Sequence, residues 1–186
     1  MGTMAEFLIR DAKVFDCGRI ARMLRPAHEA AYLRVGISTH RELRSTFDKS
    51  YYRKAWYIDG HLSGLGGLMG STLSPRAYIW LALTDRATRY PLEMVREARR
   101  QLADFMVTKN ELVTTVHAED KAAQRFALFL GFHVGDQPPA ETHFGRKTLQ
   151  EYILSTPEVR IPFGKSHLIR MGYHGAMDVS PPSLAH

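Results

Sequence analysis

Midway along the chain the spacing of apolar residues changes twice, and this restricts the folds that the sequence can adopt. Residues 55–58 are strand-like, Asp59-Gly60 is a strong signal for a two-residue hairpin turn, and residues 61–69 form the returning strand. The run 77–83 is continuously apolar, as expected of a central strand covered on both faces. From Pro91 onwards apolar residues recur every three or four positions, which predicts a long helix. The pattern therefore predicts a mixed domain of strands and helices.

The rest of the chain supplies further elements of both kinds. Strands are predicted at residues 6–10, 112–118 and 132–134, and within 142–154; helices are predicted after a cap at Asp16, and at 27–35, 40–49 and 121–130. The returning strand of the hairpin contains Gly64, Gly66, Gly67 and Gly70, and so many glycines indicate close approach by another backbone or a ligand. We predict an α/β (α+β) fold with a mixed sheet of about six to seven strands and about four helices.

The last thirty or so residues differ from the rest. They contain four prolines, scattered glycines and little periodicity, which is typical of an extended arm or a floppy terminus. We predict one domain over residues 1–154 and an arm or tail over 155–186. An ordered arm of this kind commonly packs on a second copy of the chain.

Composition limits the classes of function. The single cysteine, Cys17, cannot form an intrachain disulfide, and no apolar run is long enough to span a membrane, so we expect a cytoplasmic protein. The formal net charge of +6 is spread along the chain without a nucleic-acid motif, which makes nucleic-acid binding a poor explanation. The nine histidines show no metal-ligand spacing, so no metal site is predicted.

Residues 119–132, EDKAAQRFALFLGF, contain a recognisable helix motif. Asp120 stands where a family motif has Asn, Ala123 matches the Ala three residues later, and Gly131-Phe132 matches the closing Gly-Phe pair. With the element order, this motif resembles that of the GNAT (GCN5-related N-acetyltransferase) superfamily. A closer resemblance over residues 6–135, which includes the stretch 80–85, is to a phage-encoded GNAT-like group similar to the small internal virion protein of short-tailed phages.

The resemblance implies acetyl-CoA as cofactor and an amine, on a small molecule or a protein, as acceptor. It implies that the cofactor lies between the central strands, with its pyrophosphate at the start of the long helix. The implied cofactor-binding residues are Leu81, Leu83, Thr84, Arg86, Ala87, Thr88, Arg89, Tyr90, Asp120, Ala123 and Phe126.

Four residues are candidates for catalysis. His117 ends a predicted strand near the expected site, and histidine titrates in a useful range, although a hydrogen-bonded strand histidine is an equally simple interpretation. Asp120 either takes part in the chemistry or caps the next helix. Glu29 and Tyr32 lie one helical turn apart, where they either contact substrate or sit on the surface.

Two features depart from the family pattern. The turn 84–91 has no glycine, and Pro91 lacks a backbone N–H, so side chains would have to replace backbone contacts to phosphate. Ala127 occupies the position of the family's Tyr and cannot donate a proton. Two interpretations follow: an acetyl-CoA-dependent N-acetyltransferase, or a catalytically degenerate phage protein that binds other structural proteins in the virion.

Overall fold

The computed structural model describes residues 5–27, 29–30, 38–136, 140–141 and 147–156. The chain divides into two units after Thr156. The predicted arm, residues 155–186, falls outside the described residues except for its first two positions, and the predicted helix at 27–35 is described only in part. Within the described ranges, no helix is both long and apolar enough to cross a membrane.

Strands and helices follow the order predicted from the sequence. The strands are β1 (Phe7–Asp11), β2 (Ser50–Ile58), β3 (His61–Met69), β4 (Arg76–Leu83), β5 (Glu111–His117), β6 (His133–Val134), β7 (Ala140–Glu141) and β8 (Lys147–Ser155). The helices are α1 (Val14–Ala21), α2 (Thr39–Lys49), α3 (Pro91–Met106) and α4 (Lys121–Phe129), with a 3₁₀ helix at Asp85–Arg89. A further helical turn begins at Pro26.

The strands form one mixed sheet in the order β1-β2-β3-β4-β5-β8-β6, with β7 beside β8. The pairing of β4 with β5 is parallel, and the other pairings are antiparallel. The eight strands include two of only two residues: β6, which falls in the predicted strand 132–134, and β7, which was not predicted as a separate strand.

The predicted hairpin turn joins β2 to β3. Asp59 and Gly60 have φ of 50° and 73°, the left-handed conformation that a tight two-residue turn requires at both positions. The glycines of β3 permit the predicted close approach: a Cβ on Gly66 would lie 2.9 Å from the Trp80 carbonyl oxygen, and one on Gly67 would lie 2.2 Å from that of Tyr52.

Helices cover both faces of the sheet. On one face, α1 and α2 pack on β2, β3 and β4 through Cys17, Ile20, Leu24, Leu43, Phe47, Ala55, Tyr57, Leu62, Leu65 and Ala82. On the other face, α3 and α4 pack through two clusters that include Trp56, Ile58, Met94, Ala98, Leu102, Leu112, Ala127 and Phe132. The central part of the sheet is therefore sandwiched between two helical layers.

Two local predictions were wrong. Asp16 does not occupy the N-cap of α1; Lys13 does, and the buried Asp16 carboxylate, on the first helical turn, accepts a hydrogen bond of 2.8 Å from the Lys13 N–H. The strand β4 is central but is not covered on both faces throughout, because Tyr78 is 46% exposed and Ile79, Trp80, Leu81 and Leu83 are half-buried. The reason is a cleft beside this strand.

Candidate functional site

The cleft lies where β4 and β5 separate. Their parallel ladder comprises the pairs Arg76↔Glu111, Ala77↔Leu112 and Tyr78↔Val113, after which the strands separate. A cavity of about 640 Å³ opens between them, lined largely by apolar side chains. This volume falls within the range of small-molecule and cofactor sites.

The separation leaves backbone groups of β4 without a neighbouring strand. The Thr84 N–H donates to the Ser63 carbonyl, so the backbone groups of Thr84 point towards β3. Along an antiparallel ladder this direction alternates from one residue to the next. The backbone groups of Leu81 and Leu83 therefore point away from β3 and towards the cleft. The Leu83 carbonyl accepts a hydrogen bond of 3.1 Å from the Arg25 N–H. The described part of the β4–β5 ladder gives Leu81 no such partner, so this residue can pair with an extended ligand.

Leu24 and Arg25 pair with the end of β4. Leu24 forms an isolated antiparallel bridge with Thr84, which places this segment beside the end of β4. The Arg25 side chain then crosses to α4, where its Nη2 lies 2.9 Å from Asp120 Oδ2. Both side chains are largely buried, with 12% of Arg25 and 5% of Asp120 exposed. The backbone of Arg25 is therefore tied to β4 and its side chain to the residue that starts α4.

Asp120 is the N-cap of α4. Its Oδ1 accepts a hydrogen bond of 2.9 Å from the Ala123 N–H, the arrangement expected for a capping aspartate. The capping alternative predicted for Asp120 is thus confirmed, while a part in catalysis stays a prediction. His117, at the end of β5, is half-buried and lines the cleft, and its carbonyl accepts a hydrogen bond of 3.1 Å from Gln124 Nε2.

The turn after β4 directs some predicted phosphate ligands elsewhere. Thr84 is buried, and its hydroxyl donates to the Ser63 carbonyl at 3.2 Å. Arg86 Nη2 and the Tyr90 hydroxyl both contact Asp59 Oδ2, at 3.2 and 3.1 Å. These contacts and the hydrogen bond from the Glu6 N–H, which is the main cause, lower the pKa of Asp59. The side chains of Thr84, Arg86 and Tyr90 therefore have partners within the protein.

The other predicted cofactor residues remain near the cleft. Ala87 and Thr88 line it beside Pro91, the first residue of α3, and Arg89 is exposed on the same turn. Since Pro91 has no N–H and the Met94 N–H donates to the Tyr90 carbonyl, the first turn of α3 offers the N–H groups of residues 92 and 93. The remaining predicted cofactor residues, Leu81, Leu83, Asp120, Ala123 and Phe126, all line the cleft.

Of the two predicted substrate residues on the second helix, the structure describes Glu29, which does not line the cleft. Glu29 is exposed and borders a separate depression with Arg22, Ser38 and His40. Tyr32 lies outside the described residues. Ala127, at the family's Tyr position, is buried and lines the cleft, so it adds apolar surface there.

Tyrosines 52 and 78 also line the cleft. The Tyr52 hydroxyl donates to Gln101 Oε1 at 2.9 Å, and burial raises the pKa of this phenol. Within the described ranges, no group of three or more His, Cys, Asp or Glu side chains is arranged to hold a metal ion.

Tyr52, Tyr78 and Arg25 are cleft residues that sequence reasoning did not identify, and Arg25 is the charged one of the three. The residues next to Arg25 in the sequence, such as Pro26, give no sign of a role at the cleft, because the residues that Arg25 contacts are distant in the sequence. The one available signal was Asp120 in place of the family's Asn: an added negative charge on a buried helix start calls for a cation nearby.

No protein-family model matches the sequence, and no curated protein sequence does either. Solved structures do match. YncA from Salmonella typhimurium, solved with acetyl-CoA, has a TM-score of 0.54 at 19% identity, over 86% of this chain and 99% of that one. A GNAT-family acetyltransferase from Bacillus anthracis has a TM-score of 0.61 at 14% identity, over 82% and 96%. The ribosomal-protein-S18-alanine N-acetyltransferase of Escherichia coli has a TM-score of 0.55 at 14% identity, over 85% and 100%.

These similarities establish the fold. The described part of the chain has the mixed α/β fold of the GNAT acetyltransferases, as the element order and the helix motif predicted. At such low identities the likeness carries no activity with it.

Proposed function

We propose that the protein is an acetyl-CoA-dependent N-acetyltransferase that binds its cofactor in the cleft between β4 and β5. The observation that carries this proposal is the separation of these two strands, which opens an apolar cavity of about 640 Å³ in the middle of the sheet. The YncA structure contains acetyl-CoA, and its fold is the fold of this chain.

The residues present fit such a cofactor in two respects. The arm of coenzyme A is an extended chain with two amide groups, which matches an apolar groove where the Leu81 N–H and carbonyl face the cavity. At the end of the cleft, the first turn of α3 and the exposed Arg89 supply the positive potential that phosphates require. Arg86 and Tyr90 already contact Asp59, so Arg89 is the side chain of the turn that we assign to phosphate.

For the chemistry, acetyl-CoA supplies a thioester whose acyl group moves to the nitrogen of an amine. The walls of the cleft exclude water and hold the reacting groups together. His117 lines the cavity at the end of β5 and is the residue that we assign to accept the proton of the amine. Ala127 provides no proton for the departing thiolate.

The acceptor is an amine on a small molecule or a protein. The cytoplasmic location and a homo-oligomer formed through the C-terminal arm stay predictions. The structures compared above are acetyltransferases, so they give no support to the alternative of a phage virion protein.

A thermal melt tests cofactor binding. A ligand at about 100 times its dissociation constant stabilises a protein by about 2.7 kcal/mol, which raises the Tm of a domain of this size by roughly 5–10 °C. We expect this shift with millimolar acetyl-CoA and a much smaller one with ATP. Ala123→Trp, which fills the cleft, should remove the shift, whereas Ala103→Trp on the exposed side of α3 should preserve it.

Turnover is tested by the release of free thiol from acetyl-CoA in the presence of a panel of amines. The wild type should release thiol with at least one amine, and His117→Gln should release it more slowly with unchanged cofactor affinity. Equal melts with acetyl-CoA and ATP would reject the cofactor site. A specific shift without thiol release would reject the enzyme and leave a binding protein.

A further inference from the structure

Arg25 occupies a position at the cleft that its contacts in the protein do not fully explain. The guanidinium carries five N–H donors, and its Nη2 contacts Asp120 Oδ2 at 2.9 Å. The Nε atom is buried and has no hydrogen-bond partner in the described part of the chain. Because Nε is closed to solvent, an acceptor that enters the cleft meets the guanidinium through its Nη1 and Nη2 groups, and 12% of the Arg25 side chain is exposed.

The surroundings of this side chain define what such a ligand must look like. Arg25 lines the cleft together with Leu81 and Leu83, and its backbone N–H donates a hydrogen bond to the Leu83 carbonyl. An extended chain that pairs with Leu81 therefore meets Arg25 beside Leu83, where the backbone of Arg25 already occupies the edge of β4. The complementary group is an acceptor oxygen on an extended, largely apolar chain, which is the character of an amide carbonyl.

We propose that Arg25 is a cofactor-binding residue whose guanidinium donates a hydrogen bond to an amide carbonyl in the pantetheine arm of acetyl-CoA, while Asp120 holds the guanidinium in place. This inference rests on the proposed function. It also accounts for Asp120 at the family's Asn position: either residue caps α4, but only the carboxylate forms an ion pair with Arg25.

Two ligands separate the arm from the rest of the cofactor. Coenzyme A contains the arm, and adenosine 3′,5′-bisphosphate contains a nucleotide and phosphates without it. Arg25→Lys keeps the positive charge and the backbone hydrogen bond to Leu83, and loses the donors of the guanidinium fork. Arg22→Lys is the matched control, because it makes the same change at an exposed position on the same segment.

Dissociation constants from calorimetry provide the measurement, with thermal melts for the weaker ligand. We expect Arg25→Lys to weaken coenzyme A binding about tenfold, the effect of losing one hydrogen bond to a charged group, and to leave the bisphosphate unchanged. Asp120→Asn, which preserves the cap, should weaken coenzyme A in the same selective way. Arg22→Lys should change neither ligand.

The outcomes separate this inference from the proposed function. If the wild type binds neither coenzyme A nor acetyl-CoA, the proposed function fails, and the inference fails with it. If the wild type binds coenzyme A and Arg25→Lys binds it equally well, only the inference fails. Equal weakening of both ligands by Arg25→Lys would also overturn it, because the residue would then act on the shape of the site or on the phosphates.

Discussion

Gly67, on β3, is the position where one added methyl group has the most definite consequence. A Cβ there would lie 2.2 Å from the carbonyl oxygen of Tyr52 and 3.2 Å from Trp80 Nε1. Ordinary carbon–oxygen contacts are about 3.3 Å or longer, so β2 and β3 would have to move apart by about 1 Å. The obstacle is backbone in a central strand pair, which has little freedom to shift.

The cost of Gly67→Ala follows from that movement. Separating the strands by about 1 Å takes nearby ladder hydrogen bonds from about 2.9 Å to about 3.9 Å, beyond the range of a hydrogen bond. Two weakened hydrogen bonds and the added packing strain together amount to about 3 kcal/mol of unfolding free energy. For a domain of this size, that loss lowers the Tm by roughly 6–12 °C.

Gly64→Ala is the matched control on the same strand. Its Cβ would lie 3.1 Å from Leu83 Cδ2, the end of a flexible side chain, so we expect a loss below about 1 kcal/mol. Urea unfolding followed by fluorescence gives both free energies. If the two variants lose the same stability to within about 1 kcal/mol, the argument from backbone contact is refuted.

Two further predictions concern polar contacts away from the cleft. The buried Lys109 Nζ donates to the carbonyls of Thr72 and Ser74 at 2.7 Å each. Lys109→Met should therefore lower the free energy of unfolding by about 2 kcal/mol and speed hydrogen exchange in residues 71–75. Lys121→Met, at an exposed position, should change neither quantity. Asp59, whose pKa is lowered mainly by the hydrogen bond from the Glu6 N–H, contributes stability that is present above its unfolded pKa of 3.8 and is lost as the pH falls through the lower folded value. The Tm difference between wild type and Asp59→Asn should therefore be constant above about pH 5 and shrink below about pH 4, and a difference unchanged down to about pH 2 would contradict this.

The elements could be predicted from the sequence because their signals are local. The Asp59-Gly60 turn, Pro91 at the first turn of α3 and the apolar spacing of α2 each depend on neighbours within a few positions, and the structure confirms all three. The prediction that Asp16 is the N-cap of α1 was wrong, because a carboxylate can cap a helix from its first turn as well as from the N-cap position.

The site was less predictable because its contacts join distant segments. The hydrogen bond from Thr84 to Ser63 spans 21 positions, and the pair of Arg25 with Asp120 spans 95. The partial exposure of β4 likewise depends on how far β5 runs beside it. Local patterns show that Thr84 follows a strand and that Asp120 precedes a helix, but the partners of both come from tertiary packing.

The lack of glycine in the turn 84–90 is weaker evidence against a cofactor than the sequence indicates. Glycine is favoured where φ is positive, and in the described residues positive φ occurs at Asp59, Gly60, Gly70 and Gly131, all of them outside this turn. The turn instead passes through a 3₁₀ helix, a conformation open to ordinary residues, and brings Ala87 and Thr88 to the cleft. The proposed binding of acetyl-CoA therefore does not require a glycine-rich backbone in this turn, and Ala127 is the departure that bears on the proposed catalysis. If Ala127→Tyr binds acetyl-CoA as tightly as the wild type but turns it over faster, then protonation of the thiolate limits the rate of the wild type.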